Sequence, residues 1–236
     1  MGNEKLEYNY KLLPAKVTNV CNNLIVDAKL DDGQQVSAFC GALEVAKMCK
    51  PNMEVLLKRT SNSSRLVKYN VSFVKTPEGI IFANPKYNRI LFKEAFEKRI
   101  IRELHHYKTC TPLKSRVTTN GLDFELTTET GEKAFVFVTS IYDKLDGNAV
   151  FPNNINFFEM KMLEEMKKCR DSGAKTYAFI IVPREDCLAA KFVWSLDPRA
   201  AAALFDAANS GLNFICYGCK LYPNNIELNR KLDILY

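Results

Sequence analysis

The sequence is poor in several of the features by which chains usually announce their chemistry. It has no apolar run near the ~20 residues that a membrane-spanning helix needs, so it reads as a chain that does not cross a bilayer by a helix. It has no Walker loop and no GxGxxG, which excludes the common nucleotide-cradling motifs. Histidine is limited to two residues, His105 and His106. Being adjacent, they point apart on a strand or helix and make poor joint metal ligands. Cys216-Tyr217-Gly218-Cys219 is a lone CxxC with no second pair to complete a structural zinc site. The first residues, Met1 to Leu6, have no apolar leader core, and the eight cysteines are scattered. Reduced thiols in an intracellular, cytoplasmic setting are therefore expected. In that setting the glycosylation patterns at Asn62-Ser63-Ser64 and Asn70-Val71-Ser72 are accidental.

What is present is an ordinary globular balance, with 47% hydrophobic and 25% charged residues over 236 positions. That excludes global disorder and leaves room for one large domain or two small ones. The net charge is +6, and it is unevenly placed. Residues 1–108 carry 18 Lys and Arg against 11 Asp and Glu, while residues 109–236 carry 15 against 16. A basic first half marks either an anionic partner, nucleic acid included, or a solvated surface.

The rhythm of the chain changes midway. Leu12 to Thr18, Asn23 to Leu30, Gln35 to Phe39, Met53 to Arg59, Leu66 to Lys75 and Ile80 to Ala83 read as short strands. Asp31-Asp32-Gly33 is a hairpin turn and Ala42 to Cys49 a short helix. This suits an OB-fold-like β-barrel over 1–84. A connecting helix and linker follow over 85–108, with Asn88 to Arg99 amphipathic. Over 109–236 the pattern is a hairpin, Leu122 to Thr127 and Ala134 to Ile141, and then alternating helices and strands. Asn156 to Asp171 is a helix, Tyr177 to Val182 a doubly buried strand, Asp197 to Ala207 a helix and Asn213 to Tyr217 a strand. The fold class is α/β, with a mixed sheet covered by helices in the second domain.

Two groups of residues carry candidate chemistry. Asp123 and Glu125 alternate on a strand and so share a face, where two carboxylates can hold a hard divalent cation. They can equally be a solvent-facing acid pair. Lys58, Arg59, Arg65 and Lys68 cluster around Thr60 to Ser64, with Tyr69, Phe73, Phe82 and Tyr87 interleaved. Basic loops with exposed aromatics suit nucleic acid on a barrel. The same aromatics can be barrel core and the charges ordinary loop solvation.

Taken in order along nearly the whole chain, these pieces resemble the sugar fermentation stimulation protein (SfsA) family. The resemblance rests on Leu24-Ile25-Val26 before Asp32-Gly33, Ala38 to Cys40, Asn84, Asn88-Arg89, Leu122-Asp123-Phe124 and Phe151-Pro152. It continues through Asp197-Pro198, Ala207, Gly211 and Tyr217-Gly218-Cys219. It implies an OB-fold followed by a restriction-endonuclease-like domain of the PD-(D/E)xK type. In such a nuclease an Asp, an acid-x-Lys pair on the next strand and a further acid hold Mg²⁺ and orient a water. Asp123 matches the first acid. The acid-x-Lys pair falls on Val136-Phe137-Val138, and the earlier Glu falls near Lys114. The family's Ser-Arg falls near Asn120-Gly121 and its Asn-Arg-Phe on Asn22-Asn23-Leu24. Phe-Pro-Asp-Ala-Val-Thr becomes Phe151-Pro152-Asn153-Asn154-Ile155-Asn156, and the Arg-Gly after it becomes Phe158-Glu159.

These departures lead to an SfsA-like protein that binds nucleic acid, DNA ahead of RNA, as a catalytically degenerate nuclease. Lys58, Arg59, Arg65, Lys68 and Arg89 are its expected phosphate contacts. No cofactor is expected on this reading. Two alternatives stand beside it. One is an active nuclease with a migrated site of Asp123, Glu125 and Lys161, dependent on Mg²⁺ or Mn²⁺. The other is an interaction or structural protein that has lost both activities, its site repaired by Val136, Val138 and Phe158.

Overall fold

A computed structural model describes residues 11–21, 24–62, 64–113, 121–152, 157–222 and 225–236, apart from the side chains of 157–159. The readings placed on Asn22-Asn23, Lys114, Asn120, Asn153 to Asn156 and the side chain of Phe158 lie outside the described residues. The chain forms two compact units. The first runs to Tyr87 and takes in Pro183–Asp186 and Cys219–Glu227. The second takes in Asn88–Val182, Cys187–Gly218 and Leu228–Tyr236. The stretch 85–108, read as a linker, is thus divided at Tyr87, and its helix belongs to the second unit.

The first unit carries β1 (Leu13–Cys21), β2 (Ile25–Leu30), β3 (Gln35–Phe39), α1 (Leu43–Met48), β4 (Glu54–Arg59), β5 (Tyr69–Thr76) and β6 (Gly79–Phe82). The Asp31-Asp32-Gly33 turn joins β2 to β3 as its composition requires. Gly33 takes φ +90°, and Asp32 Oδ1 accepts from the Gln34 N–H at 2.9 Å. The strand order is β3-β2-β1-β4-β5-β6, and β3 also pairs with β5 through Ala38↔Tyr69 and Phe39↔Asn70. That extra pairing closes β1–β5 into a five-strand barrel and removes its open edges. Val17, Val26, Ala28, Ala38, Val55, Leu57, Val71 and Phe73 are buried, alternating along β1, β2 and β4, while β5 buries Val71 to Val74 in one run. The returning segment completes β6. Phe82 N–H donates to Pro183 O at 2.9 Å, and buried Arg184 forks onto both Asp186 oxygens at 2.6 and 2.7 Å.

The second unit begins with α2 (Asn88–Glu97), followed by β7 (Tyr107–Pro112), β8 (Phe124–Thr128), β9 (Lys133–Ser140), β10 (Lys144–Leu145) and β11 (Asn148–Phe151). Then come α3 (Phe157–Asp171), β12 (Lys175–Val182), β13 (Ala190–Phe192), α4 (Pro198–Asn209), β14 (Leu212–Tyr222), β15 (Asn225–Lys231) and β16 (Ile234–Leu235). The main sheet has the order β15-β14-β12-β9-β8-β7, with β7, β8 and β9 antiparallel and β9, β12 and β14 parallel. A smaller sheet, β10-β11-β13-β16, has no counterpart in the sequence pattern. Its strands are two to four residues long, too short to show an alternation.

Helices cover both faces of the main sheet. Phe137 and Ala178 pack with Met162, Leu163 and Met166 of α3 and Ala207 of α4. On the opposite face Phe92 of α2 meets Phe124 at 5.0 Å and Phe179 at 4.8 Å. Phe124 pairs with Val136, and Phe179 pairs with Val138, so both valines share that face. α4 opens as expected: Asp197 Oδ1 accepts from Ala200 N–H at 3.0 Å, with Pro198 first in the helix.

Candidate functional site

Asp123 is placed by the end of the β8–β9 ladder. Its N–H donates to Val136 O at 2.8 Å, and regular pairing then stops. The next donor on β9, the Val138 N–H, is met by the Asp123 carboxylate, Oδ2 accepting at 2.8 Å. Asp123 therefore caps the sheet with its side chain and is wholly buried. A buried carboxylate needs a compensating charge. Arg89, the second residue of α2, supplies it, with Nη1 3.5 Å from Oδ1. The same guanidinium donates to Leu113 O at 2.8 Å and to Asp123 O at 3.1 Å, and it lies 5.3 Å from the Phe124 ring centre. Next to it, Ser140 Oγ donates to Asn88 Oδ1 at 2.8 Å. The start of α2 is thereby fixed to the ends of β8 and β9.

These contacts alter two readings of the sequence. Asp123 and Glu125 do not present a common solvent face. Asp123 precedes β8 and turns inward, whereas Glu125 lies on the strand and pairs with Lys133 at 2.9 Å. Arg89 reads from the sequence as a cation free for phosphate, yet its guanidinium is committed to Asp123 and two carbonyl groups. Lys161 is exposed on α3, beside Met162. Met162 itself packs on Gly121, where an added Cβ would lie 2.8 Å from the Met162 Cβ. Val136 and Val138, which the resemblance sets against an acid-x-Lys pair, have no exposed surface. Among the described residues no three His, Cys, Asp or Glu side chains converge as a metal-holding group. The described residues around Asp123 thus lack the donors a hard divalent cation needs.

The basic cluster of the barrel is arranged differently. The end of β4 and the start of β5 are tied by Thr60 N–H donating to Lys68 O at 2.7 Å. Between them the chain turns on Asn62, whose Oδ1 accepts from Ser64 N–H at 3.0 Å and Ser64 Oγ at 2.6 Å. Arg59, Arg65 and Lys68 are exposed, and Leu66 between them is 98% exposed. Among the described residues Arg59 and Arg65 form no ion pair with an acid. Lys58 is half-buried, its Nζ donating to Tyr87 Oη at 3.3 Å. The interleaved aromatics divide: Phe73 and Phe82 are barrel core, 5.2 Å apart, while Tyr69 and Tyr87 keep part of their surface.

The remaining candidates are structural. All eight cysteines are free, and Cys216 and Cys219 are buried on β14. Burial pushes the Cys40 and Cys49 thiols up to about 11 and about 12, the chemistry of inert core thiols. His105 and His106 are exposed, and His105 Nε2 lies 2.7 Å from Arg99 O.

A closed strand barrel followed by a mixed α/β sheet, with Asp123 capping the hairpin of the second unit, defines the class: a barrel joined to a helix-covered mixed sheet. Residues 86–225 match the family model described as the sugar fermentation stimulation protein RE domain, and the chain belongs to the SfsA family. Over 224 residues it is 27% identical to the sugar fermentation stimulation protein homolog of Paramagnetospirillum magneticum, covering 94% of this chain and 95% of that one. The homolog from Roseobacter denitrificans is 25% identical over 236 residues, 97% of this chain and 99% of the other. Among solved structures, SfsA of Pyrococcus furiosus in complex with Ca²⁺ superposes with a TM-score of 0.83 at 16% identity. That match covers 98% of this chain and 99% of that one, and at such identity it speaks for the fold.

Proposed function

We propose that this SfsA-family protein binds nucleic acid through the basic loop of its barrel, DNA ahead of RNA, and does not cleave it. The observation that carries the reading is the loop itself. Arg59, Arg65 and Lys68 are exposed around a fully presented Leu66, with Tyr69 and Tyr87 partly exposed nearby. Arg59 and Arg65, which form no ion pair among the described residues, gain most from phosphate, because binding releases condensed counterions. Partly exposed rings add a stacking surface for unpaired bases. The OB-fold and PD-(D/E)xK assignments of the two units belong to the same proposal.

The absence of cleavage rests on the surroundings of Asp123. The Pyrococcus furiosus relative was solved with Ca²⁺. In this chain the carboxylate is engaged by a backbone N–H and a guanidinium, and the neighbouring strand offers Val136 and Val138. Among the described residues a metal here would meet one carboxylate, already partnered, and that set does not fit one. All eight thiols being free fits a reducing, intracellular setting.

The test is a fluorescence-anisotropy titration of labelled duplex DNA across salt concentrations, with single-stranded DNA and RNA as further arms. Tight binding with a steep negative salt slope is expected. Replacing Arg59, Arg65 and Lys68 with Ala should weaken binding and flatten the slope by about 0.9 for each duplex phosphate that is no longer neutralised. An unchanged slope overturns the assignment of the loop. Cleavage with Mg²⁺ or Mn²⁺ that disappears in Asp123→Ala overturns the non-catalytic reading.

A further inference from the structure

Away from the Asp123 site, the second unit contains a cavity of about 840 Å³ lined by Arg99, Ile100, Arg102, Glu103, Tyr217, Asn229, Arg230 and Lys231. Its floor is a connected set of polar groups. Tyr217, 3% exposed and stacked on Phe179, donates its hydroxyl to Glu103 Oε2 at 2.9 Å and lies 3.4 Å from Arg102 N–H as acceptor. Glu103 Oε1 pairs with Lys231 Nζ at 2.9 Å. Partial burial works against the Glu103 charge, but Lys231, a backbone N–H and Tyr217 outweigh it and hold the carboxyl below its usual range. The hydrogen bond and charge of Glu103 push Lys231 upward. Burial and the bond to Glu103 push the Tyr217 hydroxyl up to about 12. At neutral pH the floor is therefore an ion pair with a neutral phenol, and its charges cancel.

The walls do not cancel. Arg99, Arg102 and Arg230 add three guanidinium groups, and the one acid in the cavity is already matched to Lys231. Among the described residues none of the three forms an ion pair with a carboxylate. Arg99 is fixed by donating Nη1 to the carbonyls of His105 at 3.0 Å and Tyr107 at 2.9 Å, and Arg230 donates to Cys187 O. Arg102 is exposed. Held guanidinium groups around a concave space favour multiply charged oxyanions, which they bind in a bidentate manner. Three uncompensated cations exceed what a single carboxylate needs and match the charge of a phosphate or diphosphate. The volume lies within the range of small-molecule pockets, ~300–1,000 Å³.

We infer that this cavity is a binding pocket for a small phosphorylated molecule, with Arg102 and Arg230 gripping the phosphate, Arg99 adding fixed charge and the Glu103–Tyr217–Lys231 floor setting the shape. The pocket is independent of the basic loop of the barrel, and its occupant is a free small molecule rather than the end of a polynucleotide.

The probe is inorganic pyrophosphate, titrated calorimetrically into the full-length chain. Saturable binding is expected, weakened at least tenfold in Arg102→Ala and further in Arg102→Ala/Arg230→Ala. The Arg59, Arg65 and Lys68 to Ala variant should bind pyrophosphate as the native chain does, even where its DNA binding is lost, which separates this pocket from the function proposed above. Arg102→Ala removes an exposed head group, so an unchanged melting temperature accompanies its drop in affinity. No saturable pyrophosphate binding at millimolar concentration overturns the inference, as does equal affinity in the native and Arg102→Ala proteins. Arg102-dependent binding of a 5′-phosphorylated oligonucleotide without any binding of pyrophosphate overturns it too, by making the occupant a nucleic-acid end.

Discussion

Asp123 accepts the Val138 N–H and faces the Arg89 guanidinium, and with no exposed surface it has no water to replace either. Truncation removes the carboxylate acceptor from the Val138 N–H and the counter-charge from Arg89. The Arg89 side chain is 30% exposed, so solvent recovers part of that loss. Asp123→Ala should cost about 2–3 kcal/mol in urea denaturation. Asp123→Asn keeps an acceptor for Val138 and should cost roughly half as much. Equal losses in the two variants would show that the charge on Asp123, and not its hydrogen bond, is what matters. Glu103 allows a pH test. Its carboxyl titrates below the ordinary 4.5, so its stabilising effect is full above that value and fades as pH falls through the lowered one. Lys231 titrates above 10.5, so its share is full below that value and fades at higher pH. The stability gap between the native protein and Glu103→Gln should be constant from about pH 5 to pH 10 and shrink on the acid side. A gap that persists unchanged at pH 3 would refute this role for the carboxyl.

At the scale of elements, the contact of α3 with the start of β8 depends on a single glycine. Gly121 takes φ +96°, and the position of its missing Cβ is already filled by the Cβ of Met162 at 2.8 Å. Gly121→Ala therefore meets a backbone penalty and a clash together, with an expected loss of about 2–4 kcal/mol by chemical denaturation. Gly131, also at positive φ, has open space where a Cβ would stand. Gly131→Ala should lose only about 1 kcal/mol, from backbone strain alone. If both cost the same, the packing of Met162 on Gly121 is not the cause. The barrel shows the converse relation between sequence and element. Strands β1, β2 and β4 alternate clearly enough to be read in advance, and the single parallel pairing of β3 with β5 closes the barrel.

At the scale of the molecule, neither unit is a continuous stretch of chain. The first recovers Pro183–Asp186 and Cys219–Glu227 from far along the sequence, and the bonds of Phe82 with Pro183 and of Arg184 with Asp186 and Glu78 show what those returns contribute to it. The charge asymmetry acquires a location at this scale. Part of the basic excess of the first half is spent within the fold: Arg89 on Asp123, Arg99 on two carbonyls and Lys75 on Glu54 at 2.5 Å. Another part is presented, in the first unit by the loop between β4 and β5 and in the second by Arg102 at the cavity. Net charge alone does not distinguish these uses, because a cation held by a carboxylate and one facing solvent count equally.

Local patterns were enough to determine the strands of the barrel, the Asp-Gly hairpin, the capped start of α4 and the buried strand at Tyr177 to Val182. In each, neighbouring residues carry the signal: alternation, positive φ at glycine, a side-chain cap or a continuous apolar run. Tertiary structure alone decided the partners. Asp123 and Arg89 are 34 positions apart, and Tyr217 and Glu103 are 114 apart. Both Asp123 and Arg89 stand out in the sequence, but for separate tasks on separate surfaces. A carboxylate and a guanidinium look available until the fold places them within one buried contact. The short strands β10, β11, β13 and β16 are unreadable for a related reason. Two to four residues hold too little alternation to register, and such strands exist because each is paired by another brought beside it.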